Sequence, residues 1–258
     1  MTPLEIEYSP SSCIDDLDHE LSRYRELSDA AAARVHRVKA FGPNADEFCI
    51  VFRPDHQPGP LHIFIHGGYW QQLSAWDSLM AAPVLLDAGV SFAAVNYSLA
   101  PDASIETMIE QCCAAVVSLI DDLAPTHVTL SGSSAGAHLA ARTALRLPSA
   151  VNRLILLSGI YDLRPLVHTY VNDPLGLDEH RAAELSIDTG PRPVDAVVIA
   201  HGDNETEAFK RQSGRLAAAW GVPVCEVGGR NHFDLVLDLA PIHLGEIVGV
   251  PRRESPRE

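Results

Sequence analysis

The chain alternates between short apolar runs and longer stretches with helical spacing. Eight runs are rich in β-branched residues: Val35–Val38, Phe48–Phe52, Leu61–Ile65, Phe92–Tyr97, His127–Leu130, Arg153–Leu157, Val194–Ala200 and Val222–Val227. From the third onward these runs are mostly continuous rather than alternating, which is typical of parallel strands buried on both faces. The pattern therefore predicts a mostly parallel sheet of about eight strands, in which the first two form an antiparallel edge.

The stretches between these runs have the spacing of amphipathic helices. In Ala103–Leu123 the apolar residues recur at i, i+3, i+4 and i+7, as in a helix with one buried stripe. Further helices are predicted over Asp18–Ala33, Ser74–Asp87, Ala135–Leu147 and Glu205–Trp220. Strands and helices in alternation predict an α/β fold with helices on both faces of the sheet.

The length suits a single domain over residues 1–258, since layered α/β folds of this size often stand alone. Tyr161–Pro193 lies between two predicted strands and has no clear strand of its own. We interpret 161–193 as a small cap insertion over the carboxyl edge of the sheet, where open α/β sheets bind ligands. The polar, proline-containing segment Gly249–Glu258 is predicted to be a frayed tail.

The net charge of the chain argues against two classes of binding partner. Nineteen Lys and Arg against 34 Asp and Glu give a net charge of −15, which disfavours binding to phosphate backbones and anionic lipid surfaces. We therefore expect neither a nucleic acid nor a membrane as partner, and the sequence leaves a homodimer open. The first residues lack the basic and apolar regions of a signal peptide, which favours a cytoplasmic location.

The sequence offers no pattern for a disulfide framework or a metal site. The five cysteines are odd in number and lack C-x-x-C spacing, so each is interpreted as a small buried apolar residue. His62 and His66 have an i, i+4 spacing, but that spacing forms a metal pair on a helix, and these two lie at the ends of a predicted strand. A structural role is favoured for both, and no metal or cofactor is expected.

A G-x-S-x-G pentapeptide, Gly132–Gly136, gives the strongest chemical signal. It directly follows the strand His127–Leu130 and directly precedes the helix Ala135–Leu147. This is the context of a nucleophile elbow, in which a strained strand-to-helix turn projects a serine above the sheet. Ser134 is the candidate nucleophile, and the alternative is a glycine-rich turn whose serine caps the helix.

A second glycine motif supplies candidate donors for an oxyanion. Gly67 and Gly68 follow the strand Leu61–Ile65, and without side chains they let backbone N–H groups point into a cavity. Together with the N–H of Ala135, just after Ser134, they are predicted to form an oxyanion hole.

Chain order then indicates the base and the acid. In folds with a nucleophile elbow, the histidine follows the last strand and the acid follows the strand before it. His232, in a loop immediately past Val227, is the predicted base, and His243 is the alternative. Asp203, immediately past Ala200, is the predicted acid. Glu205 is the runner-up, with helix capping as its structural explanation.

Taken together, the motifs resemble the kynurenine formamidases, also called arylformamidases, of the α/β-hydrolase superfamily. The likeness spans nearly the whole chain and is carried by Tyr8–Ser11, His66–Gln71, Asn96–Tyr97 with Leu99–Pro101, Ser134–Ala140, Gly159–Leu163 and Arg211–Ser213. One departure is Ser133, where the family usually has His. The resemblance implies the α/β-hydrolase fold and hydrolysis of N-formyl-L-kynurenine, or a related aryl formamide, to the aryl amine and formate.

By their own chemistry, the same residues indicate a serine hydrolase that works through a formyl-serine intermediate. Tyr69, Trp70, Tyr161 and Phe233 are predicted to flank an aryl ring of a small-molecule substrate. The nearest alternative is a general carboxylesterase or acetyl-esterase with the same triad. A catalytically silent binding protein is disfavoured, because nucleophile, base and oxyanion glycines are all present.

Overall fold

The fold is an eight-stranded sheet with helices packed on both faces. A computed structural model describes residues 1–54, 58–187 and 190–246. The strands are β1 (Arg37–Ala40), β2 (Phe48–Phe52), β3 (Pro60–Ile65), β4 (Ser91–Val95), β5 (His127–Ser133), β6 (Arg153–Leu157), β7 (Ala196–Asn204) and β8 (Val224–Asn231). Their order is β1-β2-β4-β3-β5-β6-β7-β8, and the predicted antiparallel edge of β1 and β2 is confirmed.

The order of the strands brings the two glycine motifs together. β3 lies between β4 and β5 and is parallel to both, so the chain order reverses across β3. Such a reversal opens a crevice at the carboxyl ends of the strands. Ile65, the last residue of β3, is in register with Gly132 of β5, which places the segment after β3 beside the elbow after β5.

The helices cover the sheet on its two faces. They are α1 (Pro3–Glu7), α2 (Leu17–Ala32), α3 (Ala82–Asp87), α4 (Ile105–Leu123), α5 (Ala135–Arg146), α6 (Glu179–Leu185), α7 (Glu207–Trp220) and α8 (Leu239–Leu244). The hydroxyl of Ser104 caps α4 by accepting a hydrogen bond from the N–H of Thr107. Among the described residues, no helix is long and apolar enough to cross a membrane.

The core consists of one apolar cluster on each face of the sheet. Within β3, Leu61, Ile63 and Ile65 belong to one cluster, and Phe64 belongs to the other. Successive side chains of a strand point to opposite faces, so this alternation shows that β3 is covered on both sides. The continuous apolar runs of the sequence are explained by this double burial.

The predicted helix Ser74–Asp87 is wrong as a single element. The structure has a short 3₁₀ helix, Ala75–Asp77, and then α3. Side chains from elsewhere bind backbone donors of this stretch: Asn96 Oδ1 accepts from the N–H of Ala75, and Ser28 Oγ accepts from the N–H of Leu79. The bond from Leu79 to Ser28 replaces the i to i−4 bond that the N–H of Leu79 would make in a continuous helix.

The segment between β6 and β7 is built from short helices. Two 3₁₀ helices, Arg164–His168 and Tyr170–Asn172, precede α6, and residues 188 and 189 of the predicted cap lie outside the described residues. Imidazole Nε2 of His138, in α5, lies 2.8 Å from the carbonyl of Leu185, which ties α6 to the main body. The predicted tail, Gly249–Glu258, lies outside the described residues.

Candidate active site

A cavity of about 240 Å³ lies at the carboxyl ends of β3 and β5. Ser134 and His232 both line it, as do Gly67, Gly68 and Ser133. Five aromatic residues are also among its 22 described lining residues: Tyr24, Phe64, Tyr69, Tyr170 and Phe233. The cavity therefore combines the candidate nucleophile and base with several aromatic neighbours.

Ser134 occupies the strained turn that the sequence predicts between β5 and α5. Its backbone has φ 56° and ψ −122°, a combination that non-glycine residues rarely adopt, and its N–H donates to the carbonyl of Leu157 at 2.8 Å. The glycines on either side of Ser134 are required because backbone carbonyl oxygens lie where a Cβ atom would be. A Cβ on Gly132 would lie 2.1 Å from the carbonyl oxygen of Gly136, and one on Gly136 would lie 2.1 Å from that of Ile65.

Gly67, one of the two glycines predicted to bind the oxyanion, lies directly against the elbow. A Cβ on Gly67 would lie 2.9 Å from the carbonyl oxygen of Ser133 and 3.1 Å from Cβ of Ser134. Gly68 has φ +94°, a conformation that favours glycine. Within the described part of the chain, the N–H groups of Gly67, Gly68 and Ala135 have no acceptor, which leaves them available to an anion.

Glu205 is hydrogen-bonded to His232. Oε2 of Glu205 lies 3.0 Å from Nδ1 of His232, and Oε1 accepts from the hydroxyl of Ser158 at 2.5 Å and the N–H of Gly202 at 2.6 Å. Burial raises the pKa of Glu205, but the hydrogen bonds from His232, Ser158 and Gly202 outweigh it, so the pKa lies below the ordinary glutamate value. The ionised carboxylate therefore accepts a hydrogen bond from Nδ1–H, which leaves the lone pair of the neutral ring on Nε2 of His232.

The predicted acid, Asp203, is hydrogen-bonded elsewhere. Strand β7 continues to Asn204, so Asp203 still lies in the strand, where its carboxylate accepts from the N–H groups of Gly229 and Arg230. No hydrogen bond joins Asp203 to His232 in the part of the chain that the structure describes. Glu205 is the first residue beyond the strand and reaches the imidazole instead.

The other candidate histidines have structural positions. Nδ1 of His243 lies 2.9 Å from Nδ1 of His62 within the core, and Nε2 of His62 lies 2.6 Å from the hydroxyl of Ser131. His66 stacks on Tyr97, with ring centroids 4.3 Å apart, and burial lowers the pKa of His66 to about 4. Its neutral ring braces the loop that carries Gly67.

Two of the four predicted aromatic contacts lie at the cavity and two do not. Tyr69 and Phe233 line it, whereas neither Trp70 nor Tyr161 is among its described lining residues. Tyr69 and Trp70 both have positive φ, and the turn sends Trp70 into the core, where its ring meets the imidazole of His138 edge-on. Tyr161 is buried and packs against Gly159.

The N-terminal segment forms a wall that the sequence pattern did not predict. Pro10, Ser11, Leu17, Leu21 and Tyr24 line the cavity. Hydrogen bonds hold this wall in place, since the hydroxyl of Tyr69 donates to the carbonyl of Tyr8 at 2.5 Å and that of Tyr24 donates to the carbonyl of Phe233. The one sequence signal was the segment Tyr8–Ser11, which carries a family likeness but no indication of its position.

Comparison with known proteins gives a consistent result. Residues 62–185 match a family model for the alpha/beta hydrolase fold. The chain is 31% identical to the kynurenine formamidase of Danio rerio over 92% of this chain and 90% of that protein. It is 33% identical to the kynurenine formamidase of Salmo salar over 70% of this chain and 68% of that protein.

Solved structures also share the fold. A crystal structure of a proposed thioesterase from Silicibacter sp. superposes with a TM-score of 0.86 at 25% identity, over 93% of this chain and 95% of that one. The structure of an arylesterase superposes with a TM-score of 0.63 at 18% identity, over 92% and 94% of the two chains. The predicted α/β-hydrolase fold is thereby confirmed.

Proposed function

The chain belongs to the kynurenine formamidase family of α/β-hydrolases, and we propose that it hydrolyses the formamide of N-formyl-L-kynurenine or a related aryl formamide. Water and the formamide give the aryl amine and formate. The observation that carries the proposal is the placing of Ser134 and His232 in the wall of one small cavity lined by aromatic rings. A cavity of about 240 Å³ is small for a ligand site, so we expect a compact substrate.

In the proposed mechanism Ser134 is the nucleophile. Nε2 of His232 takes the proton from Oγ of Ser134 while Oγ attacks the formyl carbon. The Glu205 carboxylate acts as a positioning residue, because it holds the imidazole through Nδ1 and stabilises the positive charge that the ring acquires. The geometry of the elbow supports this role for Ser134, since strained backbone is often retained at catalytic sites.

The tetrahedral intermediate carries a negative charge on the former carbonyl oxygen. The N–H groups of Gly67, Gly68 and Ala135 are proposed to bind this oxygen, and in a site closed to water such bonds are stronger than in solution. The imidazolium of His232 then gives its proton to the aniline nitrogen, which leaves as the aryl amine. A water molecule, deprotonated by the same imidazole, attacks the formyl-serine and releases formate.

The aromatic walls support an aryl leaving group. Tyr69 and Phe233 lie on the same cavity as Ser134, and aromatic side chains pack on an aryl ring in offset or edge-to-face contact. Phe233 also meets the ring of His232 edge-on, with centroids 5.5 Å apart, so the base itself lies in an apolar surrounding.

One observation favours an esterase as a second candidate. Ser133 lines the cavity next to the nucleophile, where the resemblance would place a larger histidine side chain. A smaller residue leaves room for a longer acyl group, and the catalytic groups described above would cleave an ester equally well.

The test is a comparison of kcat/KM for N-formyl-L-kynurenine and phenyl acetate on one preparation, with Ser134→Ala as the matched variant. The proposal expects the formamide to be the better substrate and both activities to disappear in the variant. Faster cleavage of phenyl acetate would favour the esterase. Formamide hydrolysis that persists in Ser134→Ala would contradict the serine mechanism.

A further inference from the structure

The described wall of the cavity contains an acidic residue but no Lys or Arg. Of the described residues that line the cavity, Asp77 is the one acidic residue, and none is Lys or Arg. His232, the remaining titratable ring apart from the tyrosines, belongs to the proposed catalytic group. The described lining therefore includes one residue with a carboxylate and no Lys or Arg.

Asp77 lies in the segment that also carries the oxyanion glycines. It ends the short 3₁₀ helix Ala75–Asp77, and its Oδ2 accepts from the hydroxyl of Ser74 at 2.8 Å. Its Oδ1 lies 3.9 Å from Nε of Arg25, a side chain that is 69% exposed. Asp77 is 20% exposed, but the ion pair is long and its arginine lies largely in solvent, so the charge of Asp77 is only partly compensated within the protein.

We propose that Asp77 binds a protonated amine on the leaving group of the substrate, so that this site selects aryl formamides whose side chain carries an ammonium group. The proposal rests on the proposed function, and it names the group that the cavity recognises beyond the formamide. Removing an ammonium ion from water is unfavourable unless a carboxylate pairs with it, and Asp77 is the carboxylate that the wall offers.

The described residues of the same wall include no basic side chain that could pair with a carboxylate on the substrate. N-formyl-L-kynurenine carries both an α-ammonium and an α-carboxylate, and the described lining of the cavity offers a charged partner to the first alone. The α-carboxylate is therefore expected to contribute little to kcat/KM, whereas the α-ammonium contributes strongly. A large contribution of the ammonium to kcat/KM, with a small contribution of the carboxylate, distinguishes recognition of the amine from recognition of the whole amino acid.

Three formamides with the same aryl ketone test the proposal. They are N-formyl-L-kynurenine, N-formylkynuramine, which lacks the carboxylate, and 4-(2-formamidophenyl)-4-oxobutanoate, which lacks the amine. With the wild-type protein we expect kcat/KM for the second to stay within about threefold of the first, and kcat/KM for the third to fall at least about tenfold, mainly through KM. Equal values for the amine-bearing and amine-free compounds would overturn the proposal.

The variant Asp77→Asn tests the residue. It keeps the size of the side chain, and we expect it to abolish the preference for the amine while the amine-free compound retains its rate, which also shows that the variant is folded. Asp87→Asn is the matched control, since Asp87 is exposed on α3 and pairs with Arg34. A uniform loss on all three compounds, or an unchanged preference, would contradict a binding role for Asp77. Should Asp77→Asn fail to fold, the wild-type series still decides whether the amine is recognised.

An ester pair separates this inference from the proposed function. The compounds are 4-(2-aminoethyl)phenyl acetate and 4-ethylphenyl acetate, which differ in the amine. If no formamide is cleaved but the amine-bearing ester is preferred at least about tenfold, and Asp77→Asn removes that preference, the formamidase proposal fails and the amine site stands. If formamides are cleaved without any preference for the amine, the amine site fails and the formamidase proposal stands.

Discussion

The carboxylate of Glu205 lies 3.0 Å from Nδ1 of His232, and both side chains are almost completely buried. Two further donors, Ser158 and Gly202, bind the other oxygen of the same carboxylate. Glu205 is thus held by three hydrogen bonds from three different chain segments, and the imidazole orientation is fixed by groups that are themselves fixed.

Glu205→Gln is expected to lower kcat by roughly 10³- to 10⁴-fold, because a glutamine amide can donate to Nδ1 and favour the wrong imidazole tautomer. Asp203→Asn is the matched control: an asparagine oxygen can still accept from Gly229 and Arg230, so activity should stay within about threefold of wild type. Steady-state kinetics on a formamide or an ester substrate give kcat for both variants. A severe loss in Asp203→Asn with a mild effect of Glu205→Gln would return the acid to Asp203.

Chain order and strand periodicity predicted the elbow at Ser134 and the histidine loop, because both follow directly from where strands end. Asp203 was preferred to its alternative, Glu205, because the apolar pattern ends β7 at Ala200, whereas the observed strand ends four residues later at Asn204. Polar residues such as Asp203 can form strand hydrogen bonds at the end of a strand, but a prediction based on apolar runs stops before them.

The aromatic wall was only partly predictable for a different reason. Tyr69 and Trp70 are adjacent, and their positive φ values direct one ring to the cavity and the other to the core. The wall formed by Leu17 and Tyr24 depends on where α2 packs, which is a long-range contact that local sequence does not encode.

Ser134→Ala is expected to remove nearly all turnover, with a loss of about 10⁴- to 10⁶-fold, while the fold is retained. The reason is that the proposed mechanism has no other nucleophile for the first step. An organophosphonate probe should label the wild-type protein at Ser134 and leave the variant unlabelled, as measured by mass spectrometry of the intact protein. Retention of more than a tenth of the wild-type rate would exclude Ser134 as the nucleophile.

Gly67→Ala is expected to lower kcat at least about tenfold, because the added Cβ would lie 2.9 Å from the carbonyl oxygen of Ser133 and displace a proposed oxyanion donor. Gly214→Ala is the matched control. Gly214 lies in α7, and an added Cβ there would meet no neighbouring atom of the described chain within 4 Å, so alanine should leave kcat unchanged and stabilise the helix by about 0.5–1 kcal/mol. Equal kcat values for the two variants would argue against a role for the Gly67 segment.

The buried imidazole of His138 makes stability depend on pH. Burial lowers the pKa of His138 from 6.5 to about 4, so between those values the unfolded chain binds a proton that the folded chain does not. The free energy of unfolding should therefore fall as the pH is lowered from 7 to 5, by on the order of 2 kcal/mol for this one group.

The measurement is urea denaturation of wild type and His138→Gln at pH 7 and pH 5. The variant should lose less stability between the two pH values than the wild type, whatever its stability at pH 7. His180→Gln is the control, because it makes the same substitution at a side chain that is 80% exposed and outside the core. Identical pH dependence in wild type and His138→Gln would contradict the assignment of a neutral buried ring.

The decisive measurement for the formamidase proposal is the ratio of kcat/KM for N-formyl-L-kynurenine to that for N-acetyl-L-kynurenine. A formamidase site should close tightly around the formyl group, so that an extra methyl on the acyl group adds strain as well as misalignment. We predict that the formyl compound is favoured at least ~100-fold, or roughly 2.7 kcal/mol of transition-state discrimination. Equal rates for the two compounds would contradict the formamidase and leave the general esterase.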